Sequence, residues 1–186
     1  MKIIRYPQPN EWAELLKRPV MNMETLRGTV SEVLGRIKAE GDKAVLDYEE
    51  RFDKVKLNGL AVSEAEIEEA ESMVSDELKK AIQLAEQNIR TFHTAQKFVG
   101  KKVETQPGVT CWQKAVAIEK VGLYIPGGTA PLFSTVLMLA TPAKIAGCKE
   151  IVLCTPPNKE GKVNPAILYA ARVAGVSKIF KAGGVQ

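Results

Sequence analysis

The chain reads as an α/β protein, a helical amino-terminal region followed by a parallel β-α-β-α-β sheet, and three observations carry that reading. From about Asn10 to Gln96 apolar residues return every three or four positions, the period of helices buried on one side. Beyond Val121, short apolar runs alternate with longer amphipathic ones, each bounded by Gly, Pro or Asn. Strand, helix and strand in that order build parallel pairs joined by right-handed crossovers.

Taken in order, the opening MKIIRYPQPNEW has one short apolar pair before Pro7 and Pro9, so it is no signal peptide and the expected compartment is the cytoplasm. Two helices follow, broken at Gly41, the first lined by Val30, Val33, Leu34 and Ile37 and the second by Val45, Leu46, Tyr48 and Phe52. Ser63 with Glu66 forms a capping box, and Ser75 before Asp76 and Glu77 starts another helix. Those two helices meet near residues 73–75 and share the face Ile67, Ala70, Val74, Leu78, Ile82, Ala85, Ile89 and Phe92. The acidic run from Glu64 to Glu71 reads as a solvated helix face. After Pro107, residues Val109–Ile118 read as an extended arm.

The sheet region then runs strand Val121–Ile125, helix Ser134–Ala146 closed by Gly147, and strand Glu150–Thr155. Helix Pro165–Ala174 follows, capped by Asn164 and closed by Gly175, and strand Ser177–Lys181 comes last. That strand is expected to leave an open sheet edge. The division expected is a helical region over 1–119 with its connecting arm, and a sheet region over 120–186.

Composition excludes several functions. With 45% hydrophobic residues and no apolar run near the ~20 residues of a span, this is a globular chain that does not enter a membrane. Residues 101–186 carry 11 Lys and Arg against 4 Asp and Glu, a net +7, which leaves −3 for the first 100. The lysines are scattered and lack interleaved aromatics, so they do not form a nucleic-acid face. Cys111, Cys148 and Cys154 lack C-x-x-C spacing and read as reduced, buried thiols. The single histidine, His93, reads as a helix residue with a structural hydrogen bond, and one histidine without clustered thiols makes no zinc site.

The segment VGLYIPGGTAPLFST (Val121–Thr135) is where chemistry is most legible. A strand enters a Pro-Gly-Gly turn and a helix leaves it, which shapes backbone to receive a nucleotide. Gly127 and Gly128 permit positive φ and close approach of amides, and Ser134 or Thr135 is placed to cap the following helix. Its dipole would favour an anion by under about 1 kcal/mol when exposed. In parallel sheets ligands sit beyond the carboxyl ends of the strands, where Tyr124–Gly128 and Ala182–Gln186 both emerge. Pro126 and Gly127 are cofactor-binding candidates on this turn geometry alone. The dinucleotide fingerprint G-x-G-x-x-G is absent, and a glycine-bearing turn also suits an ordinary strand-to-helix connection.

Five stretches, GDKAVLDYEERFDK (Gly41–Lys54), NIRTFHTAQ (Asn88–Gln96), PGVTCWQKAVAIEKVGLYIPGG (Pro107–Gly128), ATPAKIAGCKEIVLCTPP (Ala140–Pro157) and AGGVQ (Ala182–Gln186), together resemble histidinol dehydrogenase, in order and with compatible spacing. Val185 departs from the pattern, standing where that family usually has alanine. The resemblance implies an incomplete Rossmann-like sheet, the first half of an NAD-binding domain. It also implies an enzyme that oxidises L-histidinol through L-histidinaldehyde to L-histidine with two NAD, as a zinc-dependent homodimer in histidine biosynthesis.

Members of that family are much longer, so the chain is expected to be a truncated amino-terminal part, inactive alone. By resemblance the NAD contacts fall on Tyr124 and Gln186. The family's Glu-His catalytic pair, its Zn2+ ligands and its substrate contacts match nothing here, which leaves no catalytic or metal residue to name. On residues alone, two roles suit Tyr124: cofactor contact, or packing beneath a loop with its hydroxyl satisfied. Gln186 as the last residue also suits a loose terminus. The alternative to an enzyme segment is a stand-alone α/β nucleotide-binding or scaffolding module without catalysis.

Overall fold

The computed structural model describes residues 3–18, 23–127 and 131–185. A short helix α1 (Trp12–Leu15) precedes α2 (Glu24–Glu40) and α3 (Asp42–Tyr48). Gly41 separates the latter two at φ 60° and ψ −138°, backbone nearly confined to glycine. Val33, Ala44 and Tyr48, with Ile37 beside them, form a small core. The Arg36 guanidinium lies 5.2 Å over the Tyr48 ring and pairs with Glu40 and Asp47, which ties α2 to α3. Leu34 and Phe52, expected on the buried face, are 49% and 47% exposed.

Phe52 is displaced for a reason with consequences downstream. α3 runs into a π-helical turn, Glu49–Asp53, closed by Lys54 in the left-handed conformation at φ 59°. A wider turn breaks the helical period. Phe52 is left stacked on Tyr48 at 5.4 Å, while Glu49 turns inward and is fully buried.

Both expected caps start the next helices. α4 (Glu64–Met73) opens on the capping box, with Ser63 Oγ accepting from the Glu66 amide at 3.2 Å and Glu66 Oε2 accepting from the Ser63 amide at 2.9 Å. α5 (Asp76–Ala95) opens on Ser75, whose Oγ accepts from the Leu78 amide at 3.3 Å. Their shared apolar face is buried from Ile67 through Ile89, but Phe92 lies beyond the packing and is exposed.

β1 (Lys102–Gln106) and β2 (Val109–Trp112) form an antiparallel hairpin across Pro107 and Gly108, the latter at φ 82°. The expected extended arm is therefore the second strand of a pair whose first strand precedes Pro107. Every residue of both strands is exposed. Cys111 is thus an exposed thiol, contrary to expectation, while Cys148 is buried and Cys154 half-buried.

The parallel sheet is made of β3 (Lys120–Tyr124), β4 (Glu150–Thr155) and β5 (Lys178–Lys181), in that order, with α6 (Phe133–Ala146) and α7 (Pro165–Ala174) as the crossovers. Gly147 and Gly175 end these helices at φ 94° and 79°. One sheet face carries Ile151, Leu153 and Ile179, buried against Val136, Leu137 and Ala140 of α6 and Ile167, Ala170 and Ala171 of α7. α4 and α5 pack on the outside of α6 and α7, adding Ala70, Val74 and Ile82 to the same core. Polar contacts fix that outer layer: Gln83 Nε2 donates to the Tyr169 hydroxyl at 2.9 Å, and Thr141 Oγ1 donates to Glu86 Oε1 at 3.4 Å. The opposite sheet face, with Tyr124, Val152, Cys154 and Phe180, is only partly covered.

The expected open edge at β5 is closed. Residues 60–62 run antiparallel along it, the Lys181 amide donating to the Leu60 carbonyl at 2.7 Å and the Val62 amide to the Ile179 carbonyl at 2.9 Å. Unpaired edge groups find partners in the segment that leads into α4, a non-local contact invisible to local pattern. The acidic run of α4 is likewise more than a solvated face. Glu66 pairs with Lys181, Glu69 with Lys162 at 2.8 Å and Glu71 with Arg172 at 3.2 Å, joining α4 to the sheet layer. Among the described residues, no helix is long and apolar enough to cross a membrane.

Candidate functional site

The three parallel strands end together, and hydrogen bonding continues one residue past each end. The Ile125 amide donates to the Cys154 carbonyl at 2.9 Å, and the Ala182 amide to the Thr155 carbonyl at 3.1 Å. Thr155, fully buried, donates its hydroxyl to the Ile125 carbonyl at 2.9 Å. These bonds fix the departure points of the three loops that follow.

Between those loops lies a cavity of about 570 Å³, with Tyr124, Pro126 and Gly127 on one wall, Asn158 and Asn164 on another, and Gly184 at the rim. Its volume falls in the range of small-molecule and cofactor pockets, and it occupies the carboxyl side of a parallel sheet where such ligands bind. A larger cavity of about 660 Å³ lies at the opposite end of the strands, among His93, Trp112, Val116, Ile118 and Ile145. That second cavity is mainly apolar, so the one of mixed polarity at the carboxyl ends of the strands is the better candidate.

Tyr124 is 43% exposed and stands in register with Cys154 across the sheet. Its hydroxyl accepts a hydrogen bond from the Gly184 amide at 3.0 Å. The ring lines the cavity, and the hydroxyl is satisfied by a loop amide. A phenol that accepts one bond keeps its own proton to donate. Burial pushes the neighbouring Cys154 thiol up from its ordinary value, so it stays protonated and packs as an apolar group.

Gly127 is required here for a reason other than the one expected. Its φ is not in the left-handed region, but a Cβ on it would lie 2.5 Å from Pro156 Cγ. Close approach of the β3 and β4 loops, rather than positive φ, demands the glycine. Gly128 and Gln186 lie outside the described residues. Ser134 and Thr135 do not cap α6, which begins at Phe133 with Leu132 at its N-cap and no side-chain cap bond. The capped helix start facing the cavity is that of α7, where Asn164 Oδ1 accepts from the Ala166 amide at 2.9 Å.

Residues from the helical region enter the site unannounced by the strand-turn-helix pattern. Asp53 lines the cavity, and burial pushes its carboxyl up, partly offset by a hydrogen bond with Glu49. Glu49 Oε1 accepts from the Gly183 amide at 2.8 Å. Both acids lie in the stretch Gly41–Lys54 that carries the family resemblance, the one sequence signal that could have pointed to them. His93 rides on α5 edge-to-face with Phe92 at 5.4 Å, and its imidazole makes no hydrogen bond among the described residues. Among those residues no three His, Cys, Asp or Glu side chains converge on a metal position.

Comparison with known proteins is consistent along the whole chain. The family model described as histidinol dehydrogenase matches residues 16–186. The histidinol dehydrogenase of Bacteroides thetaiotaomicron is 70% identical over 186 residues, which are 100% of this chain and 44% of that protein. The Escherichia coli K12 histidinol dehydrogenase is 52% identical over 174 residues, 93% of this chain and 39% of the relative. The crystal structure of histidinol dehydrogenase from Elizabethkingia anophelis superposes with a TM-score of 0.91 at 52% identity, over 97% of this chain and 42% of that one. The chain thus spans less than half the length of the relatives it matches, and it belongs to the histidinol dehydrogenase family.

Proposed function

We propose that this chain is the amino-terminal segment of an enzyme that oxidises L-histidinol, through L-histidinaldehyde, to L-histidine with two NAD in cytoplasmic histidine biosynthesis. Residues 120–186 form the first half of its NAD-binding domain, and the complete enzyme is a homodimer. The observation that carries this reading is the crevice at the strand ends, where Tyr124 from β3 meets Gly184 from the loop after β5 at 3.0 Å in a chain of this family.

NAD, when bound, accepts the hydride that leaves the substrate carbon. The chain's own residues bind and orient it. The Tyr124 ring offers a flat wall and its hydroxyl a donor, while Pro126 and Gly127 bring backbone close to the cavity. Gln186 completes the contact set by resemblance. The start of α7 presents its positive end to an anionic group. Zinc is a different matter, since the described residues offer no ligand cluster. Metal, catalytic acids and bases and the substrate contacts belong to the remainder of the enzyme.

The test is turnover. The complete enzyme is expected to reduce NAD with L-histidinol, whereas these 186 residues alone are not. Turnover by the 186-residue chain, or one tightly held zinc per chain by elemental analysis, would sink the proposal. A complete polypeptide that binds NAD without oxidising histidinol would favour the nucleotide-binding or scaffolding module instead.

A further inference from the structure

We propose that Glu49 is a positioning residue for the nucleotide crevice: its buried carboxyl and the Tyr124 hydroxyl hold two consecutive amides, those of Gly183 and Gly184, and so latch the loop after β5. The inference rests on the assignment of this crevice to NAD.

The latch is built from three parts of the chain. Glu49 reaches the loop because it continues the buried face of α3, one helical turn after Val45, and its Oε1 takes the Gly183 amide at 2.8 Å. Tyr124, at the end of β3, takes the Gly184 amide at 3.0 Å. The two glycines are each required, for unlike reasons. A Cβ on Gly183 would lie 2.7 Å from Asp53 Oδ2 and 2.9 Å from Pro156 Cβ, so only glycine lets the loop pass between them. Gly184 sits at φ 57°, in the left-handed region that favours glycine, and its amide donates to the phenol.

The consequence for function follows from geometry. Gly184 and Tyr124 both line the cavity, so the Gly184 bond fixes the phenolic oxygen at the same time as the rim. A loop held by one bond pivots, whereas one held at two successive amides by separate parts of the chain keeps a single shape before the ligand arrives. Asp53 is coupled to Glu49, its carboxyl raised by burial and that rise partly offset by Glu49. Glu49 touches no ligand position and acts only through the loop.

The experiment uses the complete enzyme and two readouts, amide hydrogen exchange and NAD binding. In the wild-type protein without nucleotide, the Gly183 and Gly184 amides are expected to exchange at least tenfold more slowly than the exposed amide of Lys159. Glu49→Ala should release Gly183 and raise the Kd for NAD about tenfold, with the KM for histidinol unchanged and kcat within about twofold. Glu49→Gln keeps an acceptor for the Gly183 amide and a donor toward Asp53, so it should stay within about threefold of wild type in both readouts. Fast exchange of Gly183 in the wild-type protein overturns the latch without any variant having to fold. An Ala variant that binds NAD normally, or a Gln variant as impaired as Ala, overturns the positioning role. Protected amides in a wild-type protein that does not bind NAD would keep the latch but overturn its assignment to a nucleotide, which separates this inference from the functional reading beneath it.

Discussion

The two sheets of this chain make an instructive pair. β1 and β2 form a regular hairpin whose residues are all exposed, whereas β4 alternates buried and half-buried positions along its whole length. Both strand sets satisfy their backbone hydrogen bonds. Among the described residues the parallel sheet has helices packed behind it, and its strand ends carry a cavity of mixed polarity. An isolated two-stranded hairpin is marginal in water, so the stability of the described fold resides in the sheet. Strand formation and burial are thus separate achievements, and function gathers where loops leave a buried scaffold.

The contrast predicts its largest effect at the centre of the sheet. Leu153 is fully buried, and Leu153→Ala should cost about 2–5 kcal/mol by chemical denaturation. A cost under about 1 kcal/mol would erase the distinction between the sheets. Next comes Gly183→Ala at the rim, where the new methyl meets Asp53 Oδ2 at 2.7 Å and should destabilise by about 1–3 kcal/mol through overpacking. An unchanged midpoint would mean that the loop shifts freely.

Tyr124→Phe sharpens the comparison at the level of binding. Loss of its hydroxyl should weaken NAD in the complete enzyme by roughly 0.5–1.5 kcal/mol, with the thermal midpoint nearly unchanged. A large fall in midpoint with normal NAD affinity would make Tyr124 a purely structural tie to Gly184.

Acid should act on the sheet before the hairpin. Burial raises the Glu66 carboxyl, but Lys181 and the Ser63 amide and hydroxyl outweigh it and hold the group below its ordinary 4.5. The stability that Glu66 lends is therefore present above about pH 4.5 and lost as pH falls through its lower folded value. Midpoints measured between pH 7 and pH 3 should fall less steeply for Glu66→Gln than for wild type; equal slopes would leave the Lys181 pair without a measurable role. The smallest effect belongs to the hairpin, where Trp112→Ala should change stability by within about 0.5 kcal/mol, Trp112 being 58% exposed.

Much of the architecture was legible before any coordinates. Asn164 as an N-cap, Gly147 and Gly175 as closing residues and the Ser63–Glu66 box all stand where local chemistry requires them. β4 and α7 have the boundaries that periodicity assigns, because their flanking residues admit few other conformations. The site was legible only in part. Tyr124, Pro126 and Gly127 do line one cavity, yet Gly127 is glycine because of Pro156, a residue about thirty positions away. Ser134 and Thr135 were reasonable caps that the backbone did not use, the helix starting one residue early.

The order of elements and most of the helix caps were therefore written in the sequence, because each depends on residues a few positions apart. Tertiary structure alone decided three things. It placed residues 60–62 along β5, set the buried Glu49 carboxyl against the Gly183 amide, and threaded Gly183 between Asp53 and Pro156. Each joins residues separated by scores of positions, and a helical or strand period carries no information about which distant group will satisfy a buried amide.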